Sequence, residues 1–294
     1  CNNSVIIKFL KDFMKKTIEQ TYKVLDEISH VRQRTGMYAG STTIQTQQEW
    51  LYDIDTKKMQ RKEISCIPAL IKIFSEILDN AIDEGRRAPD VLDTIRVDIE
   101  GDTISIADNG RGIPVEINSE TGKYIAETVF TNMRAGSNFD DDADQSLIGT
   151  NGIGSVLVCI LSTSFKIESC DGKKRFRQEF TNGMRERGEP KIDLHAKNHT
   201  KMTFTPDYEF FKLPGLDEDH KQRMIKRVVD AAATNPNIKF YINGNRIMTR
   251  TFDEYISMYA DEYVFDDTQD WKVGISASDG FEQISFVNSV ETYQ

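Results

Sequence analysis

The chain reads as an α+β protein: a two-layer α/β sandwich with helices over an antiparallel-rich sheet, followed by an incomplete second α/β domain. Three observations predict this class. Around the stretch 75–84, Leu70, Phe74, Ile77, Leu78, Ala81 and Ile82 fall on one arc at helical spacing, broad enough to need burial against a sheet. Residues 94–107 alternate apolar and polar side chains around Gly101-Asp102, a hairpin pattern. From residue 163 the pattern turns to strands, at 164–169, 174–180 and 201–205.

Composition sets outer limits. With 294 residues, 38% hydrophobic and 29% charged, the chain is long enough for two globular domains. No run of eighteen apolar residues occurs and the start lacks the order of a signal peptide, so a membrane is not an expected partner. Cys1 stands where a start methionine would, which predicts a piece of a longer chain. The four cysteines, Cys1, Cys66, Cys159 and Cys170, show no CxxC pairing, which predicts a reducing cytoplasmic setting, idle thiols and no structural zinc. A net charge of −10 argues against a nucleic-acid clamp, so any role on DNA is indirect.

The elements follow in order. Residues 4–22 carry Ile6, Phe9, Leu10, Phe13, Met14 and Ile18 at loose helical spacing, an arm whose apolar face needs a partner. A short helix ends at Gly36, and the polar stretch 41–66 shows no clear period. Pro68 opens the central helix in its first turn, where its missing N–H costs nothing. The hairpin at 94–107 runs into Asp108-Asn109-Gly110-Arg111-Gly112-Ile113-Pro114. Residues 125–137 read as a helix into a loop, and 139–144 as an acidic, solvated loop. The glycine-rich run 149–154 passes into the apolar run 155–161. Beyond the strands come 208–216, a basic helix near 218–234, a strand into the Asn243-Gly244 turn, and strands at 271–276 and 283–287. The change of texture predicts a domain boundary at about residue 206.

Glu76, Asn80 and Asp83 stand together on the side of the central helix opposite its apolar arc. Alone, such a stripe is an ordinary solvated face, and Asp108-Asn109-Gly110 an ordinary polar turn. The combination is specific. Asp108, at a strand end before a turn whose glycines let a ligand approach the main chain, suits the exocyclic amine of a flat base. Gly149, Thr150, Asn151, Gly152, Ile153, Gly154 and Ser155 offer backbone N–H groups to phosphate, with a helix dipole adding about 0.3–1 kcal/mol. This loop is neither GxGxxG nor GxxxxGK[ST]. Glu76 is the candidate general base for an attacking water, a role worth about 10²–10⁴ in rate. Asn80 offers a carbonyl oxygen to Mg²⁺. Asp83, Asn109, Gly112, Ile113 and Pro114 complete the candidate nucleotide site.

The order ExxxN…DxGxG…GxxGxG resembles that of the GHKL (Bergerat) ATPases. That group includes type II topoisomerases, mismatch-repair proteins of the MutL kind, ninety-kilodalton heat-shock chaperones and sensor histidine kinases. Within it, nearly the whole chain is similar to type IIA DNA topoisomerases. HVRQRTGMYAGS (30–41) is similar to the opening segment of gyrase B subunits, and EILDNAIDEG, DNGRGIP and GTNGIGSVLVCILS to their three nucleotide motifs. TKMTFTPD (200–207) resembles the strand closing the pocket, and QISFVNSVET (283–292) the start of the transducer. Gln48-Glu49-Trp50, Ser137-Asn138 and Asn151 lean toward eukaryotic and phage enzymes, and the mixture suggests a bacteriophage source.

The resemblance implies an N-terminal arm at 1–22, an ATPase domain at 23–206 and a partial transducer at 207–294. It implies ATP and Mg²⁺ as cofactors, adenine on Asp108 with Thr200 beside it, ribose and phosphates near Ser137 and Asn138, and phosphates on 149–155. It further implies an ATP-dependent dimer with a second copy, Tyr22 being the candidate arm residue for the partner's nucleotide. Double-stranded DNA would be met through the full-length enzyme, because the DNA-cleaving tyrosine and the lysine that reaches the γ-phosphate lie beyond residue 294. Thr35 departs from the proline usual in gyrases and His199 from the glycine. Two other readings are a mismatch-repair or chaperone ATPase, against which TGMYAGS and SFVNSVET speak, and a nucleotide sensor without turnover, against which Glu76 speaks.

Overall fold

Asp26 caps the first described helix, Glu27–Gln33 (α1), by accepting the Ser29 N–H at 2.9 Å. The computed structural model describes residues 25–133, 147–148, 152–249, 251–268 and 271–292. The expected arm at 1–22, with Tyr22, and Ser137, Asn138, Gly149, Thr150 and Asn151 lie outside the described residues. After a 3-10 turn at Thr35–Met37, strands Gln45–Asp53 (β1) and Lys58–Cys66 (β2) pair along their whole length. This hairpin occupies the stretch in which the sequence shows no period. Leu51 and Ile64 are buried on one of its faces, and Met59, beside half-buried Trp50 and Tyr52, on the other.

Pro68–Arg87 (α2) follows, a twenty-residue helix with proline in its first turn. All six residues of its expected apolar arc are buried, joined by Ala69 and Ile73. Burial of each large side chain contributes about 1.5–3 kcal/mol, which fixes the helix on the sheet. Next come Thr94–Glu100 (β3), Thr103–Asp108 (β4), Ile125–Thr131 (α3) and Gly154–Ile160 (α4). Then follow Ser162–Cys170 (β5), Lys174–Thr181 (β6), Glu186–Arg187 (β7), Lys191–Leu194 (β8) and His199–Pro206 (β9). Tyr208–Phe211 (α5) and Glu218–Thr234 (α6) lead to Lys239–Ile242 (β10) and Asn245–Arg246 (β11).

These strands form one nine-stranded sheet in the order β11-β10-β3-β4-β9-β5-β6-β7, with β8 also on β6. All pairings are antiparallel except β10 with β3. α2, α4 and α6 pack together over one face, and a single apolar core runs between the two layers. The opposite face is charged, with Lys166, Glu168, Arg177, Glu179 and Lys201 along it. The mixed sandwich expected from the sequence is therefore the observed architecture. At residue 206, the expected boundary, β9 ends, yet α6 and β10 continue the same core and sheet.

The remaining chain forms Phe252–Ile256 (α7) and two small hairpins, Val264–Asp267 (β12) with Lys272–Ile275 (β13) and Ser285–Val287 (β14) with Val290–Thr292 (β15). Bonds from several elements hold this segment. The β1–β2 hairpin reaches it through Trp50 Nε1 to Glu282 at 2.9 Å and Met59 N–H to Met258 O at 2.9 Å. From α6, Asp230 accepts from Lys226 Nζ at 2.8 Å and from Tyr255 OH at 2.7 Å.

Candidate nucleotide site

The polar stripe of α2 is not a solvated face. Asp83 is 1% exposed, and its carboxylate accepts the Ile148 N–H at 2.8 and 3.0 Å, which fixes the chain just ahead of the glycine loop. Asn80 Nδ2 donates to Ser155 Oγ at 2.9 Å, at the start of α4. Glu76 lies so close to Gly154 that a Cβ there would overlap its carboxylate. Its other side is held by Lys72 Nζ at 2.6 Å. Gly152 has φ +58, a backbone state that glycine adopts without strain. An acid and an amide on one helix thus meet the Gly154-Ser155 turn directly.

The second part of the site is built at the end of β4. Asp108 faces Thr200 across the β4–β9 pair, and Thr200 faces Ser169 across β9–β5. Asp108 is 6% exposed and accepts the Gly110 N–H at 2.9 Å. Burial raises its carboxyl to about 7, against that N–H bond and with help from the charge of Glu84. A buried carboxyl with so few partners has capacity left for a donor. Thr200 Oγ1 is 3.5 Å from Ser169 Oγ, and Ser169 Oγ accepts the Ile113 N–H at 2.8 Å. Gly112 has φ +73, and a Cβ there would overlap the Cys170 carbonyl, so the DNGRGIP loop lies flat on the end of β5.

Several site members carry other bonds. Asn109 accepts the Asp93 and Thr94 N–H groups at 3.1 and 2.9 Å and donates to Asp93 at 2.9 Å, so its amide closes the start of β3. Glu84, not among the expected site residues, holds Arg111 through Nε at 2.8 Å and Nη2 at 2.9 Å and so braces the loop against α2. Glu84 lies eight residues after Glu76, on the same stripe, and that spacing could have found it. Asp171, also outside the expected set, accepts the Val115 N–H at 3.1 Å. No sequence signal marks it. His199, the departure from glycine, turns its ring to Glu168 at 2.8 Å.

The donor set suits a nucleoside triphosphate with a divalent ion: a buried acid for an amine, a close glycine turn, and hard oxygen donors from Glu76 and Asn80. An ATPase built on a helix-covered mixed sheet is the class that fold and site define. The sequence profile described as histidine kinase-, DNA gyrase B- and HSP90-like ATPase matches residues 67–209. The chain is 37% identical to DNA topoisomerase 2 of Arabidopsis thaliana over 297 residues, covering 94% of this chain and 20% of that protein. Against human DNA topoisomerase 2-alpha the identity is 35% over 305 residues, covering 97% and 20%. The solved ATPase region of Saccharomyces cerevisiae topoisomerase II superposes with a TM-score of 0.89 at 34% identity, covering 93% of this chain and 75% of that one. The ATPase and transducer domains of Balamuthia mandrillaris DNA topoisomerase II give 0.89 at 35% identity, covering 94% and 74%. The chain belongs to the family of type II topoisomerase ATPase regions. It spans about a fifth of the length of the curated relatives it matches. Among the described residues, no helix is long and apolar enough to cross a membrane.

Proposed function

We propose that this chain binds and hydrolyses ATP as the N-terminal region of a type II DNA topoisomerase, in which nucleotide-driven closure of a dimer gate passes one DNA duplex through another. The observation that carries the reading is the convergence of Glu76 and Asn80 on the Gly154-Ser155 turn. Asp108 accepts the adenine amine, with Thr200 beside it. Main-chain N–H groups of the loop ending at Gly152, Ile153, Gly154 and Ser155 take the phosphates, together with Gly149, Thr150 and Asn151. Ser137 and Asn138 contact ribose and phosphate. Asp83 anchors the loop. Glu76 orients the attacking water and takes its proton as the bond to the γ-phosphorus forms and the ADP oxygen leaves. Bound Mg²⁺ supplies charge compensation for the phosphates, and the Asn80 carbonyl is the protein oxygen we assign to it.

The unit that binds nucleotide extends, in this reading, through residue 249, because α6 and β10 share its core. Residues 251–292 then begin the transducer. A second copy joins through the arm at 1–22, and DNA is engaged by the whole enzyme. The gyrase-like TGMYAGS segment beside the topoisomerase 2-like hairpin at 45–66 supports a bacteriophage source acting in host cytoplasm. Calorimetric titration with a non-hydrolysable ATP analogue and magnesium tests the pocket. Saturable binding that Asp108→Asn weakens is expected. An unaltered chain that binds nothing removes the assignment.

A further inference from the structure

We propose that Cys170, His195 and His199 form a site for a soft divalent cation of the zinc type, outside the nucleotide pocket. Cys170 ends β5 and His199 begins β9, and the two are cross-strand partners. His195 follows β8, and its N–H donates to Lys173 O at 3.1 Å. Three segments of the sheet therefore deliver one donor atom each, and these atoms lie within 4.8 Å of one another. Zinc bonds of about 2.3 Å to sulfur and about 2.0–2.1 Å to nitrogen place neighbouring ligand atoms roughly 3.5 Å apart. Small side-chain rotations close that difference.

The surroundings of His199 are compatible with a bound cation. Its Nδ1 faces Lys197 O at 2.9 Å and its Nε2 faces Glu168 Oε1 at 2.8 Å. Both partners are acceptors, so a ring with one proton leaves one nitrogen lone pair against an oxygen. A second proton on that nitrogen, or a cation on that side, removes the conflict. An Nδ1–H held by a main-chain carbonyl, with Nε2 turned to the ion, is how metal-bound imidazoles are oriented. Glu168 lies outside that trio, and rotation of its side chain beside His199 brings it in as the fourth ligand. One thiolate, one carboxylate and two neutral imidazoles balance a charge of +2, and the Cys170 thiol proton, now directed at His195 O at 3.3 Å, passes to solvent.

The spacing hides the set. His195 and His199 are four residues apart, within the H-x₃₋₅-H range, but Cys170 lies twenty-five residues upstream and without a paired cysteine. The absence of CxxC therefore does not exclude a zinc site of this composition. An ion here would tie the β8–β9 connection to the end of β5, next to Thr200 and under Gly112.

The test is titration of the metal-free chain with Zn²⁺ by calorimetry and with Co²⁺ by absorption. One equivalent should bind, and the cobalt form should show thiolate charge transfer and tetrahedral d–d bands. Cys170→Ser should abolish the charge transfer, and His195→Gln should weaken binding at least tenfold. Absence of stoichiometric binding, or equal binding by the double variant, would overturn the site. X-ray absorption at the zinc edge of the unaltered chain needs no variant: one sulfur with nitrogen neighbours supports the site, and a shell of oxygens alone rejects it.

Discussion

Arg86 Nη2 donates to Ser289 Oγ across 2.7 Å, which ties the helix carrying Glu76, Asn80 and Asp83 to the turn between β14 and β15. Asn235 Nδ2 donates to the same hydroxyl at 2.9 Å, and Ser289 is buried. Ser289→Ala leaves both donors without that acceptor. Because a lost partner costs a buried donor about 1–3 kcal/mol, unfolding in urea should show a loss in that range. An unchanged midpoint would mean that the β14–β15 turn is not braced through this hydroxyl.

A second brace of α2 is a buried ion pair. Arg227 of α6 contacts Asp79 through Nη2, and both residues are under a tenth exposed. Removing one partner leaves a buried charge alone. Arg227→Ala should therefore destabilise by about 3–5 kcal/mol, whereas replacing both residues with apolar ones should cost much less. Chemical denaturation of the two variants decides, and equal losses would contradict the pairing.

Asp108 gives the chain a pH signature. In the ligand-free fold burial holds its carboxyl to about 7, against 3.8 for an unperturbed group. Between those values the native state holds a proton that the unfolded chain has released, so the group subtracts stability as pH rises through that window. The subtraction is absent well below the unfolded value of 3.8 and complete above pH 7, where it approaches ~4 kcal/mol. Asparagine mimics the protonated acid and does not titrate. Asp108→Asn should match the parent near pH 2.5 and exceed it at pH 8. A stability difference that is flat with pH would refute the raised carboxyl.

The sheet-facing arc of α2 was legible because six apolar residues repeat at helical spacing and each is buried. The hairpin at 45–66 was not, since only Leu51, Met59 and Ile64 are buried apolar anchors among polar neighbours. Its other partners are remote, as Trp50 to Glu282 shows. Glu76, Asn80 and Asp83 were placed on one stripe correctly, but a helical wheel does not say which flank a second helix covers. Asp79 is buried for that reason, under Arg227. Asp108 was placed by its position at a strand end and Thr200 by the family resemblance, and their pairing follows from β4–β9 register. Asn109 looked like part of a ligand turn, while its amide bonds serve β3, a long-range relation that sequence order does not reveal.

Glu76 and Gly154 compete for one volume, since a Cβ on Gly154 would overlap the Glu76 carboxylate. If Glu76 is the general base, Glu76→Gln should lower ATP turnover by about 10²–10⁴ while analogue affinity changes little. Gly154→Ala should reach the same end by displacing the carboxylate, with the fold retained because Lys72 and the solvent side leave Glu76 room to move. Both changes then remove one interaction, so their effects should not add. Steady-state hydrolysis by the full-length enzyme, measured for each variant and for the pair, separates the possibilities. A double variant no slower than Glu76→Gln places Gly154 in service of the base. One slower by the product of both factors would give Gly154 a separate role at the phosphates.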